Sequence, residues 1–132
     1  MKILISLLLF MLTNLYSQHI HGRFMDAEVF GKTVYLYDMF RGDGKPIDKA
    51  NINNQGNFSF SERKFELGFY RVQGKDIKPF IVVLNPMETE VEIKVNKKED
   101  SEHVIALKSM ENIAFNRHFY LLTNIYDRLE SL

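Results

Sequence analysis

Residues 47–60 of the chain read IDKANINNQGNFSF and predict the local structure around which the rest of the fold is arranged. Four apolar side chains alternate with polar neighbours in this stretch: Ala50, Ile52, Phe58 and Phe60. A register that places Ile52 opposite Phe58 puts all four on one face of a β-hairpin and leaves a three-residue loop, 54–56. Such a loop favours a type I turn followed by a left-handed glycine, and Gly56 occupies that position. Turn chemistry and hydrophobic pattern therefore predict the same hairpin.

Short β-type segments recur along the rest of the chain, separated by glycine, proline and charged residues. They predict strands at residues 18–25, 33–40, 68–73, 77–84, 88–95 and 103–107. The uninterrupted apolar run 80–84 predicts a central strand that is buried on both faces. Pro79 should lie at a strand start or a sheet edge, since it cannot donate to a ladder. Seven or eight short strands indicate a mostly β fold, an antiparallel β-sandwich.

The hydrophobic period changes after residue 108. Ser109 is a suitable N-cap, and apolar residues then recur at helical spacing. One row, called the helix stripe below, consists of Phe115, Phe119, Leu122, Tyr126 and Leu129. A neighbouring row consists of Ala114, His118, Leu121, Ile125 and Leu132. The pattern predicts one amphipathic C-terminal α-helix over residues 109–132. We expect its wide apolar face to bind a protein partner or a second copy of the chain.

The first 17 residues predict a secretory signal peptide. Lys2 precedes an apolar run over residues 3–12, and the small residue Ser17 stands before the expected cleavage point. The run is too short for a transmembrane helix, which needs about 20 apolar residues. We therefore expect a signal peptide at 1–17, a sandwich domain at 18–108 and a helix at 109–132. The expected location is the periplasm or cell envelope.

Charge and cysteine content exclude several classes of function. The chain has 17 Lys and Arg residues against 17 Asp and Glu residues, so no basic excess points to nucleic acid. It contains no cysteine. Disulfides, thiol redox chemistry and zinc sites with cysteine ligands are therefore excluded for this chain.

Six short motifs stand in a fixed order along the chain. They are I-x-G-x-F at 20–24, V-Y-L-Y at 34–37, K-P-I-D-x-A at 45–50, G-N-F-S-F at 56–60, G-x-Y-R-V at 68–72 and S-x-E-N-x-A-F at 109–115. Together they resemble the β-sandwich domain of unknown function that precedes thioredoxin-like (AhpC/TSA-type) domains in secreted bacterial disulfide reductases. The resemblance implies an accessory domain without the enzyme, because no position here matches the Cys-x-x-Cys of the thioredoxin-like domain.

The sequence contains no complete set of metal ligands or catalytic residues. His19 and His21 point the same way from one strand, about 6–7 Å apart, and could supply two ligands of a zinc or copper site. No third ligand is evident and the pair lies near the N-terminus, so we predict no metal and no cofactor. Residues 88–92 place three glutamates on one strand as a solvated face, whereas catalytic carboxylates need burial in a pocket. We therefore predict no catalytic residue.

Tyr35 and Tyr37 share one face of the predicted strand 33–40. They either form an exposed contact surface for a partner or a sugar, or they are covered by the second sheet and the helix. Two functions follow from the sequence. The first is a non-catalytic envelope module that binds a protein through its C-terminal helix. The alternative is a sandwich that binds a small ligand or carbohydrate at Tyr35 and Tyr37.

Overall fold

The computed structural model describes residues 17–97 and 103–131. Within these residues, eight strands form two four-stranded sheets with a common hydrophobic core, and one α-helix follows them. The mostly β, sandwich-like fold with a C-terminal helix is thereby confirmed. The expected signal peptide lies outside the described residues except for Ser17. Residues 98–102, between the strands predicted at 88–95 and 103–107, also lie outside them.

The two sheets are named here by their strand orders. Sheet A has the order β4-β1-β7-β8, and sheet B has the order β3-β2-β5-β6. The strands are β1 (His19–Phe24), β2 (Thr33–Asp38), β3 (Asp48–Asn51), β4 (Asn57–Ser59), β5 (Gly68–Gly74), β6 (Ile77–Leu84), β7 (Glu90–Val95) and β8 (Val104–Lys108); the helix is α1 (Met110–Glu130). β1 and β7 run parallel, and the other strand pairs of the described chain are antiparallel as predicted.

Alternation along each strand produces the core. Inward side chains from both sheets form one buried cluster that includes Ile20, Val34, Leu36, Tyr70, Val72, Val82, Leu84, Val91 and Ile93. The aromatic rings of Phe24 and Phe58 pack within it, with centroids 5.2 Å apart. Ala50, Ile52, Phe58 and Phe60 are all buried, as the sequence pattern predicted.

The predicted loop 54–56 is present, but the predicted hairpin is wrong. The Asn53 N–H donates to the Asn57 carbonyl at 2.9 Å, and Gly56 has φ of +87°, as the three-residue loop requires. The two arms then separate, because β3 pairs with β2 in sheet B whereas β4 pairs with β1 in sheet A. The stretch is therefore a corner between the two sheets, and its apolar side chains meet across the core instead of within one sheet.

The strand predicted to be central lies at an edge of sheet B. β6 pairs with β5 on one side, and its side chains alternate between buried and half-exposed from Phe80 to Leu84. Pro79 lies in this edge strand, where a missing donor is tolerated, as predicted. The long apolar run arises because α1 packs against β6, so that the outer face of the strand is also partly covered.

Gly56→Ala should lower the free energy of unfolding by more than Gly44→Ala does. Both glycines have positive φ, +87° and +82°, so each alanine carries backbone strain of about 1–2 kcal/mol. Only at Gly56 would the new Cβ also overlap the Phe24 carbonyl oxygen and the Phe30 ring; around Gly44 the space is open. Urea denaturation of both variants measures the difference. Equal losses would contradict the tight corner.

Candidate interaction surface

The start of α1 is held by a serine cap. Ser109 precedes the helix with φ of +103°, and its hydroxyl oxygen accepts the Asn112 backbone N–H at 3.2 Å. The same oxygen accepts the side-chain amide of Asn112 at 2.8 Å. The cap therefore satisfies one free N–H of the first turn and also orients the Asn112 side chain.

Asn112 joins the helix to the free edge of sheet B. Its side-chain oxygen accepts the Val83 N–H at 2.7 Å, and its side-chain nitrogen donates to the Val83 carbonyl at 2.6 Å. One amide thus replaces a neighbouring strand for both backbone groups of Val83. Asn112 is 1% exposed, which makes it one of the two polar side chains buried in the described chain. Asn85 adds a bond to Glu111 at 3.0 Å beside it.

An aromatic row leads from sheet B onto the helix. The Phe69 ring faces outward from β5 and packs between Phe40 and Phe115, with both centroid distances 5.8 Å. Phe119 stacks on Phe115 one turn further along α1, at 6.2 Å. The row therefore connects the outer face of the sheet with the first residues of the helix stripe.

The rest of the helix stripe is open to solvent. Phe115 is half-buried, but Phe119 is 62%, Leu122 41%, Tyr126 66% and Leu129 59% exposed. Leu121 and Ile125 beside them are more than half exposed. The five predicted stripe residues thus lie together on one face of a 21-residue helix, as the spacing predicted.

Tyr35 and Tyr37 lie on the outer face of sheet B, and both are half-buried. The guanidinium of Arg71, on the neighbouring strand, covers the Tyr37 ring at 5.1 Å from its centroid. Phe69 lies two residues before Arg71 on β5, so its side chain is on the same outward face. The two predicted groups, tyrosines and helix stripe, are therefore on one side of the molecule, joined through β5.

Sequence reasoning missed Phe40, Phe69 and Asn112. Phe69 could have been found, because the inward Tyr70 and Val72 require it to point outward. Asn112 belongs to the S-x-E-N-x-A-F motif at 109–115, but the local sequence does not indicate that its side-chain amide bonds to Val83, 29 residues earlier.

The outer face of sheet A carries a charged cluster. His21 Nε2 donates to Glu90 Oε1 at 2.7 Å, and Lys108 Nζ lies 3.2 Å from Glu90 and 3.6 Å from Glu92. His19 stacks on His21 with ring centroids 4.6 Å apart. Of the three glutamates predicted to form a solvated face, Glu90 and Glu92 thus share Lys108 in a polar network, with Glu90 also bonded to His21, whereas Glu88 accepts the Glu111 backbone N–H at 3.1 Å.

Hydrogen bonds within this network favour its charged forms. The bond from His21 lowers the pKa of Glu90, and Lys108 lowers it further. Glu90 in turn raises the pKa of Lys108. Glu90 and Lys108 therefore both carry their charges at neutral pH.

Comparison of the chain with protein-family models, with curated proteins and with solved structures found no match in any of the three. Within residues 17–97 and 103–131, no helix has the length and hydropathy needed to cross a membrane. The geometry of the two outer faces is therefore the basis for a functional proposal.

Asn112→Ala should loosen the helix from sheet B. The variant leaves the Val83 N–H and carbonyl without partners, and each such group costs about 1–3 kcal/mol. We expect a lower free energy of unfolding in urea and faster hydrogen exchange at the Val83 amide. Asn116→Ala is the matched control on the next turn, and as a half-buried helix position it should change stability by less than about 0.5 kcal/mol. Unchanged exchange at Val83 in Asn112→Ala would contradict the pairing.

Proposed function

We propose that this protein is a non-catalytic module of the cell envelope that binds a protein partner through the helix stripe and the aromatic row. The observation that carries the proposal is the exposure of Phe119, Leu122, Tyr126 and Leu129 on one helix face. Folded monomers rarely leave a large contiguous apolar patch in water, and such patches mark interaction sites.

The spacing of the helix stripe favours another helix as the contacting element. Its residues follow one another at intervals of four, three, four and three, which is the a/d pattern of helices that pack side by side. Aromatic residues in such a seam provide the anchors that dominate binding energy at protein interfaces. The anchored first turn, with Asn112 buried, presents the rest of the stripe from a rigid base.

The partner class comes from the resemblance to the accessory domain of secreted disulfide reductases. In that setting the partner is a thioredoxin-like domain, or a second copy of this chain. The chain itself has no cysteine, so any thiol chemistry in the complex belongs to the partner. Either partner fits a role in which this chain assists a complex and performs no catalysis itself.

The alternative of carbohydrate binding at Tyr35 and Tyr37 has weaker support. A sugar stacks on the open face of an aromatic ring, and Arg71 already covers the ring of Tyr37. The half-buried tyrosines therefore extend the proposed protein contact better than they form a separate sugar platform.

Replacing Phe119, Leu122 and Tyr126 together with serine should weaken association about tenfold or more, since each buried anchor contributes more than about 1 kcal/mol. Sedimentation equilibrium measures it, with the protein alone and mixed with a purified thioredoxin-like domain of an envelope reductase. Met87→Ser is the control, because it removes an apolar side chain that is 80% exposed outside the helix.

Two results would contradict the proposal. One is a wild-type protein that stays monomeric at every concentration and binds no thioredoxin-like domain. The other is association that the triple variant and Met87→Ser reduce equally, because that would indicate non-specific hydrophobic contact. Retained helical circular dichroism in the triple variant separates loss of binding from loss of fold.

A further inference from the structure

The His19–His21 strand is an interior element of the molecule. β1 lies between β4 and β7 in sheet A, and Gln18 before it is fully buried, with its side chain bonded to the Asn85 carbonyl at 2.7 Å. The sequence argument against a metal site counted the position of the histidines near the N-terminus against them. That position does not weaken the site, since the histidines project from a strand that is paired on both sides.

Two further ligands come from β7, and they join His21 but not His19. Parallel pairing of β1 with β7 sets His21 opposite Glu92 and His19 opposite Glu90. One nitrogen of His21 and one oxygen each of Glu90 and Glu92 lie within 4.8 Å of one another. These residues are about 70 positions apart in the chain, so no local spacing could have indicated the group.

We propose that His21, Glu90 and Glu92 form a binding site for a divalent transition-metal ion such as zinc. One imidazole and two carboxylates form a donor set that zinc accepts, at about 2.0–2.2 Å from each atom. Tetrahedral ligand atoms at that distance are about 3.3–3.6 Å apart, so the His21 and Glu90 atoms, which are 2.7 Å apart, must separate slightly, and the other pairs must approach by at most about 1.5 Å. Glutamate rotamers on the surface provide that movement without a shift of the strands.

The charges of the cluster favour a dication. Glu90 and Glu92 carry two negative charges, and Lys108 supplies one positive charge at 3.2–3.6 Å. A metal ion would replace the proton between His21 and Glu90 and displace the Lys108 ammonium. Lys108 can leave easily, because its side chain is 56% exposed on the edge strand β8. Lys108 is therefore a competitor for the site, and its removal should strengthen metal binding.

Solvent reaches all three proposed ligands, because the side chains of His21, Glu90 and Glu92 are 27%, 37% and 31% exposed. His19, His21 and Ser59 line a shallow cavity of about 420 Å³ on the same face, next to the 53–57 corner. His19 is directed away from the carboxylates, since its Nε2 lies 2.6 Å from the Ser59 hydroxyl. Water or a small ligand can therefore complete the coordination, whereas His19, whose ring nitrogen is engaged with Ser59, supplies no ligand.

Titration calorimetry with zinc chloride on the protein without a histidine tag tests the site. We expect one equivalent of zinc to bind. His21→Gln and Glu92→Gln should each weaken binding about tenfold or more, since loss of even an outer-shell partner of a metal ligand costs about 10–100-fold in affinity. Lys108→Met should tighten it several-fold, and His19→Gln should leave it within about twofold.

The variants distinguish this site from other sources of zinc affinity. Equal weakening by His19→Gln and His21→Gln, with no effect of Glu92→Gln, would overturn the proposal in favour of a simple His-x-His chelate. Weaker binding in Lys108→Met, or no saturable binding by the wild type, would also overturn it. Cobalt(II) absorption in the visible range gives a second readout of the ligand set, and urea denaturation shows that each variant folds.

Discussion

The corner at residues 53–57 is the constraint on which the rest of the molecule depends. The Asn53–Asn57 bond and the left-handed Gly56 reverse the chain within a three-residue loop, and the two arms leave in different sheets. This separation makes β4 an outer neighbour of β1 and β3 an outer neighbour of β2. Both β1 and β2 thereby become interior strands, and the side chains on their outward faces gain fixed positions. Those positions carry the His–Glu cluster on one sheet and the tyrosines on the other.

The opposite side of the sandwich is closed by the helix. α1 packs against β6 and β8, which are the edge strands of sheets B and A on that side. The unpaired backbone of an edge strand can pair with another chain. On β6 the side-chain amide of Asn112 bonds both the N–H and the carbonyl of Val83, so this part of the edge is already paired. The helix thus serves as an edge cover in its first turns. Its later turns extend the exposed apolar stripe, so a structural and a binding role are divided along one element.

Much of the fold could be predicted because its signals are local. The residues 77–84 form β6 as predicted, and the helix begins one residue after the predicted N-cap. The wrong predictions concerned strand neighbours. They were the pairing of the two arms of the corner with each other and the central place of the apolar strand β6. Alternation determines which side chains are buried, but it does not identify the adjacent strand. The stripe on α1 was predictable because one helix carries it whole, whereas Asn112 and the Glu90–His21 contact depend on pairing across 29 and 69 residues.

The two outer faces can act independently because the sandwich core separates them. The His–Glu cluster faces outward from sheet A, and the tyrosines with Phe69 face outward from sheet B, so a protein seated on the helix stripe and sheet B leaves the cluster accessible. β8 and α1 connect the two faces, and the single residue Ser109 lies between the end of β8 and the start of α1. Lys108 ends the edge strand, and Ser109 caps the helix one residue later with φ of +103°. Displacing the Lys108 side chain from Glu90 changes the charge beside this junction without breaking a backbone bond. A metal ion at the proposed site would therefore alter the local charge near the start of α1, while the Asn112 anchor to Val83 lies on the other sheet and its hydrogen bonds do not involve Lys108.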